Sequence, residues 1–386
     1  MKNHKMHDNP IEKEDYLLTH RQTSYDLLRI FAALAVIMIH VSGGYINNHE
    51  IGLTNHLLMV MLNTVSRFSV PCFFMLSGAF VLNNDKNANA RYFYGKSIIS
   101  VGILTVIFTL FYSAYGLAKG ALSVINGVPY TLLIPILWDI FRGRSAYHMW
   151  YMSVLLVLYL AVPYIVRTRK SISNKALCTS AVVILLLGCL NAYTSTYEIV
   201  WSVGNVFNYL GFFLLGCCIK RNVKKTNNAV AAICIVAGLL IGLVAGYLQH
   251  VIIWQNATQI DNLLKLNTYH NAFTVVESLL LFYGVVKMRI HRCSVVERVA
   301  GYTFFIYLIH IRTQGRAEQL LGALVPQINL TLKVVVTCIL TFAISLVVAI
   351  FFTSIGRLIN EKTNLIQKIL KLFKLDEKQP QDESVG

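Results

Sequence analysis

An arginine and a histidine share one face of the first long apolar run. That run is Tyr25-Asp26-Leu27-Leu28-Arg29-Ile30-Phe31-Ala32-Ala33-Leu34-Ala35-Val36-Ile37-Met38-Ile39-His40. Arg29 and His40 are eleven steps apart, and eleven steps of about 100° return to within about 20° of the start. At about 1.5 Å per residue they stand ~16 Å apart along a helix, half of a ~30 Å hydrocarbon core. An imidazole titrates near working pH and serves as a base or as a nucleophile. A guanidinium holds oxyanions and polarises carbonyls. Asp26 lies one turn before Arg29 and is placed to orient it. Each residue also fits a plain structural role. An arginine near a helix end snorkels to headgroups, and a single buried histidine bonds to a neighbouring helix. The shared face favours a polar path into the bilayer, because ionisable groups at that depth are costly and by default raise a functional hypothesis.

Other ionisable groups interrupt later apolar runs. Arg67, in Ser66-Arg67-Phe68-Ser69-Val70-Pro71-Cys72, falls well inside the hydrocarbon and needs a partner or a hydrated cavity. Pro71 frees a carbonyl one turn earlier and predicts a kink there. Glu277 sits near the middle of a span, where it must be paired or neutral; Arg67, Arg312 and Arg316 are its candidate partners. Tyr307 and His310 are neighbours on a helix surface, as are Arg312 and Arg316. The polar stretch Arg312–Gln319 cannot face lipid and predicts a hydrated lining. His148 and Trp150 open another span at its outer interface. Arg91 and Lys96 flank an inner mouth, where they fit either phosphate groups or anionic lipid.

The elements that position these residues are membrane helices. The chain is 56% hydrophobic and 13% charged, with mean hydropathy +0.58, whereas soluble domains carry about 25% charged residues. Ten apolar runs reach spanning length, at about 24–44, 57–82, 95–118, 147–166, 178–194, 200–219, 229–252, 270–286, 302–325 and 331–355. The net charge of +16 invites a nucleic-acid reading, but the placement of the cations excludes it. Alternate loops hold 25 of the 34 Lys and Arg residues on one side against 4 on the other. The positive-inside rule then predicts that both termini are cytoplasmic. All four tryptophans, Trp138, Trp150, Trp201 and Trp254, fall at the opposite ends, where an aromatic belt belongs. The expected fold is an all-α polytopic membrane protein of about ten transmembrane helices. A cytoplasmic tail over 1–21 precedes a membrane domain over 22–356. A tail over 357–386 follows, with an amphipathic segment from Leu365 to Lys374 that reads as an interfacial helix. The first span is too long and too late for a cleaved signal peptide and reads as an anchor. The eight cysteines show no metal spacing and read as small apolar residues. No dinucleotide loop is present, so no tightly bound cofactor is expected.

Five motifs occur in order. They are Leu28-Arg29 with His40; Arg67-Phe68 followed by Val70-Pro71-Cys72-Phe73-Phe74-Met75-Leu76-Ser77-Gly78; His148-Met149-Trp150-Tyr151-Met152; Tyr209-Leu210-Gly211-Phe212-Phe213-Leu214-Leu215-Gly216; and Phe305-Ile306-Tyr307-Leu308-Ile309-His310. Together they resemble the acyltransferase-3 family of integral membrane acyltransferases, over residues 24–355. The resemblance implies transfer of an acyl group, most often acetyl, from cytoplasmic acyl-CoA to a hydroxyl of a surface or lipid-linked glycan. It also implies residence in a bacterial cytoplasmic membrane. His40 is then the base or nucleophile, Arg29 the group on donor phosphate or thioester, and Asp26 its orienting partner. Arg67, Arg91 and Lys96 join Arg29 on the donor side. His148, Trp150, Tyr307, His310, Arg312, Arg316 and Glu277 are candidates to line the acceptor path. A different class, a carrier or flippase for a glycan or acylated lipid, would also use buried charges. The interrupted second and ninth spans are not equivalent positions of two halves, as an inverted repeat would require.

Overall fold

The computed structural model describes residues 22–118, 148–194, 201–222, 228–257, 259–260, 264–364, 368 and 371. Trp138, the N-terminal tail and most of the amphipathic segment after 364 lie outside the described residues. Among those described, regular secondary structure is entirely helical. The helices are α1 (Thr23–Gly43), α2 (Leu53–Val65), α3 (Ser69–Val81), α4 (Ala90–Phe93), α5 (Ile99–Ala118), α6 (Trp150–Ser171), α7 (Asn174–Thr194), α8 (Trp201–Asn222), α9 (Asn228–Trp254), α10 (Ala272–Lys287), α11 (Ser294–Ala300), α12 (Thr303–Leu324) and α13 (Leu330–Thr363). Every apolar run coincides with one of these helices or with a broken pair.

Among the described residues, seven segments are long and apolar enough to cross a membrane: Thr23–Gly43, Leu53–Val81, Ala90–Ser113, Trp150–Ser171, Asn174–Asn191, Asn228–Trp254 and Leu330–Thr363. The pair α11 and α12, bent by 60°, makes an eighth if counted as one broken span. Among the described residues, α8 and α10 are not in that set. α10 has only 16 residues, or about 24 Å.

The chain divides into two compact units, one of residues 1–83 with 212–351 and one of 84–211 with 352–386. In the first unit α1 is the hub, packing against α2, α3, α10, α11 and α12. Its buried face is built largely of small or branched residues, Ala32, Ala33, Val36 and Ile37, which let neighbouring helices approach where lipid gives no hydrophobic drive. A cluster of Ile37, Val41, Met59, Ile306, Val334 and Cys338 joins α1 to α2, α12 and α13. The second apolar run breaks where Pro71 requires it. Pro71 has no N–H for the Arg67 carbonyl, and a 3₁₀ turn over Ser66–Phe68 separates α2 from α3. α9 runs close to α2 and α10 along Gly238, Gly242 and Gly246, where an added Cβ would stand 3.2 Å or less from the facing helices.

In the second unit, the turn Asp85–Ala88 is held by α6. Arg169 pairs with Asp85, and Arg167 Nε donates to the Ala88 carbonyl at 2.8 Å. α7 and the first half of α8 meet backbone to backbone, with Gly188 against Asn208 and Gly211 against Leu185.

Candidate active site

α1 carries Asp26, Arg29 and His40 into the first unit. Asp26 is fully buried and accepts from Arg29 Nη1 at 2.5 Å. The Arg29 guanidinium lies 4.6 Å from the centre of the Phe80 ring. The orienting role assigned to Asp26 therefore has its contact. Asp26 and Arg29 occupy the first two turns of α1; His40 lies in its last turn.

His40 stands beside His310, with ring centroids 5.1 Å apart and planes 31° apart. His310 is fully buried, and its Nδ1 is 2.6 Å from the Tyr307 carbonyl. A carbonyl only accepts, so Nδ1 carries the hydrogen and the neutral ring keeps its lone pair on Nε2. The Tyr307 ring lies 5.8 Å from that of His310. The backbone of His310 is fixed in turn, since Thr313 Oγ1 donates to its carbonyl at 3.0 Å and lies 2.5 Å from Ser345 Oγ.

Arg67 completes the cluster from the 3₁₀ turn. Its Nη2 donates to Asn63 Oδ1 at 2.8 Å and also bonds the Asn267 carboxamide. Its guanidinium is 5.6 Å from the Tyr269 ring centre. Asn63 Nδ2 donates to the Ile39 carbonyl at 2.8 Å and to Ser42 Oγ at 3.1 Å. The histidine is thus flanked on its own helix by two anchor points of the network that holds Arg67. His40 packs against His310, and Asn63 ties Arg67 to the carbonyl of the residue just before His40. The combination can do acyl or proton chemistry: an imidazole, a second imidazole of fixed tautomer, and a guanidinium whose orientation is set by two amides.

Glu277 takes none of its three candidate partners. It is 1% exposed, yet it forms no ion pair with Arg67, Arg312 or Arg316. Its Oε1 is buried without a hydrogen bond and points at Gly242 of α9, where an added Cβ would stand 2.3 Å away. Arg67 is turned to Asn63 and Asn267 instead. Arg312 is half-buried, and Arg316 is exposed with its Nη1 on Gln319 Oε1 at 3.1 Å.

Four candidates belong to the second unit. His148 is buried and edge-on to Tyr112, 5.1 Å between ring centroids. Trp150 stacks obliquely on Tyr209 at 5.4 Å. Arg91 is exposed, as is Lys96, whose Nζ is 3.4 Å from the Tyr92 hydroxyl.

Sequence reasoning missed Asn63, Asn267 and Tyr269. Asn63 precedes Arg67 by one helical turn, a spacing that could have flagged it. Asn267 and Tyr269 come from a distant loop and carry no such signal. It also missed an imidazole pair in the first unit, where His56 Nδ1 lies 2.8 Å from His250 Nδ1.

Comparison with known proteins adds family information. A family model described as an acyltransferase domain matches residues 22–350, which includes every one of these residues. An amino-acid racemase of Enterococcus faecalis is 30% identical over 156 residues, covering 39% of this chain and 20% of that protein. Most of that protein's length is therefore outside the aligned stretch. No solved structure matches the chain.

Proposed function

Because the chain belongs to the acyltransferase-3 family and carries several helices long and apolar enough to cross a membrane, we propose that it is a multi-pass membrane acyltransferase that moves an acyl group, acetyl by preference, from cytoplasmic acyl-CoA to a hydroxyl of a cell-surface or lipid-linked glycan. We place both termini in the cytoplasm of a bacterial cell, with about ten spans, on the asymmetry of the cations.

One observation carries the reading. A single helix holds a paired guanidinium near its start and an imidazole near its end, the latter against His310 and one residue from the carbonyl that Asn63 ties to Arg67. The ~16 Å between them suits a donor whose charged head stays at the cytoplasmic mouth while an uncharged arm carries the thioester inward. His40 takes the proton of the acceptor hydroxyl. The hydroxyl oxygen forms a bond to the thioester carbon, whose carbonyl oxygen becomes an oxyanion facing Arg67. Collapse breaks the carbon–sulfur bond, and the proton leaves with the thiol. His310, fixed by the Tyr307 carbonyl, presents its Nε2 lone pair as a proton acceptor in the same cluster. The exposed face of α12 with Arg316, and the His148–Trp150 end of α6, are assigned to acceptor contacts. Arg91 and Lys96 are assigned to the donor side.

The test is mass spectrometry of surface glycans from cells with and without the gene, alongside label transfer from radiolabelled acetyl-CoA by the purified protein. A mass difference of one acyl group with label on glycan supports the reading. Movement of unmodified glycan across vesicles, with no label transferred, would replace it with transport.

A further inference from the structure

Phe80 is shared by two cations. Arg29 lies 4.6 Å from its centre, and Lys220 Nζ lies 4.1 Å from the same centre and 5.7 Å from that of Tyr25. Lys220 is only 6% exposed. Among the described residues it makes no hydrogen bond or ion pair. The group that shares its ring is Arg29, of like sign, while Asp26 is turned to Arg29. A buried ammonium is costly without an anion. An aromatic face returns only about 0.5–2 kcal/mol, and here that face serves two positive groups.

The lysine is not there by looseness of the chain. An added Cβ at Gly78 would stand 1.7 Å from the Phe213 carbonyl oxygen, and one at Gly216 1.9 Å from the Met75 carbonyl oxygen. The two backbones therefore touch, with each glycine against the other helix. Asn83 locks the crossing one turn further on: its Nδ2 donates to the Cys217 carbonyl at 3.3 Å, and it accepts from Cys217 Sγ at 3.3 Å. Lys220 follows Gly216 by one turn and Phe80 follows Gly78 by two residues. The crossing thus delivers the ammonium to the ring that Arg29 already occupies, at the end of this unit where α1 begins and α3 and α8 finish.

We propose that Lys220 and Arg29, seated on Phe80, form a binding seat for a phosphate group. Two sources share this chemistry: the phosphates of an acyl-CoA, and the phosphate of a lipid headgroup. The acyl-CoA source rests on the function proposed above; the seat itself does not.

The experiment uses the full-length protein in phosphatidylcholine nanodiscs. Calorimetry measures the binding of CoA, of pyrophosphate and of pantetheine, which lacks phosphate. Native mass spectrometry measures retention of phosphatidylglycerol. Lys220→Met is expected to weaken CoA and pyrophosphate at least tenfold and to leave pantetheine unchanged, with Lys220→Arg within threefold of the parent. If CoA binding is unaffected but phosphatidylglycerol is lost, the seat stands and its occupant is lipid. If the parent protein binds no CoA yet its pyrophosphate or lipid binding depends on Lys220, the seat stands and the donor reading falls. If acetyl-CoA is used and Lys220→Met changes neither CoA, pyrophosphate nor lipid binding, the seat is overturned and the donor reading survives. Should Lys220→Met fail to give monodisperse protein, Lys220→Gln and Phe80→Leu read the same constants.

Discussion

Asn63 holds Arg67 to α1: its carboxamide oxygen accepts from Arg67 Nη2 at 2.8 Å while its nitrogen donates to the Ile39 carbonyl at 2.8 Å. Ile39 is the residue before His40, so the guanidinium and the imidazole are referenced to one stretch of backbone. Asn63 is a positioning residue on this reading. Its replacement by Ala removes a hydrogen bond to a charged group, about 1.5–3 kcal/mol. Asn63→Ala should lower kcat about ten- to hundredfold with little change in KM for the acyl donor. A purely structural role would instead lower the yield of folded protein and leave kcat per folded molecule intact.

His40 and His310 should separate by role. His40→Ala is expected to insert normally and to abolish transfer, measured as label from acetyl-CoA on glycan. Transfer retained by that variant would refute the assignment. His310→Phe keeps the ring and removes both nitrogens, and should leave a residual rate about 10²–10⁴-fold below the parent.

The crossing of α3 and α8 leaves no volume for a side chain at Gly78, whose added Cβ would fall 1.7 Å from a carbonyl oxygen. Overpacking costs about 1–3 kcal/mol or more. Gly78→Leu should lower the apparent melting temperature by about 5–10 °C, read by fluorescence of the detergent-purified protein. An unchanged melting temperature would contradict the backbone contact.

Glu277 makes the opposite forecast. Removing one member of a buried ion pair costs about 3–5 kcal/mol, but its Oε1 has no partner to lose. Glu277→Gln keeps the shape and removes the charge, and should hold or raise the melting temperature. A clear fall would show that a cation pairs with this carboxylate.

Much of this was legible in the residues alone. Helix positions followed from apolar runs because a bilayer forces every backbone group to be satisfied within its own segment. The break in the second run followed from Pro71, a local effect of a missing N–H. The Arg29–His40 face followed from the helical repeat, and the Asp26–Arg29 pair from their spacing. Those relations depend on neighbours in sequence, which the chain itself fixes.

The rest needed the third dimension. Glu277 had three plausible arginine partners, and the fold gave it a glycine face instead, because side-chain partners across helices depend on rotation about each axis. Nothing local brings His310 to His40, Asn267 to Arg67 or Lys220 to Phe80. Those pairs are 270, 200 and 140 positions apart, and their meeting is decided by which helices small residues allow to touch.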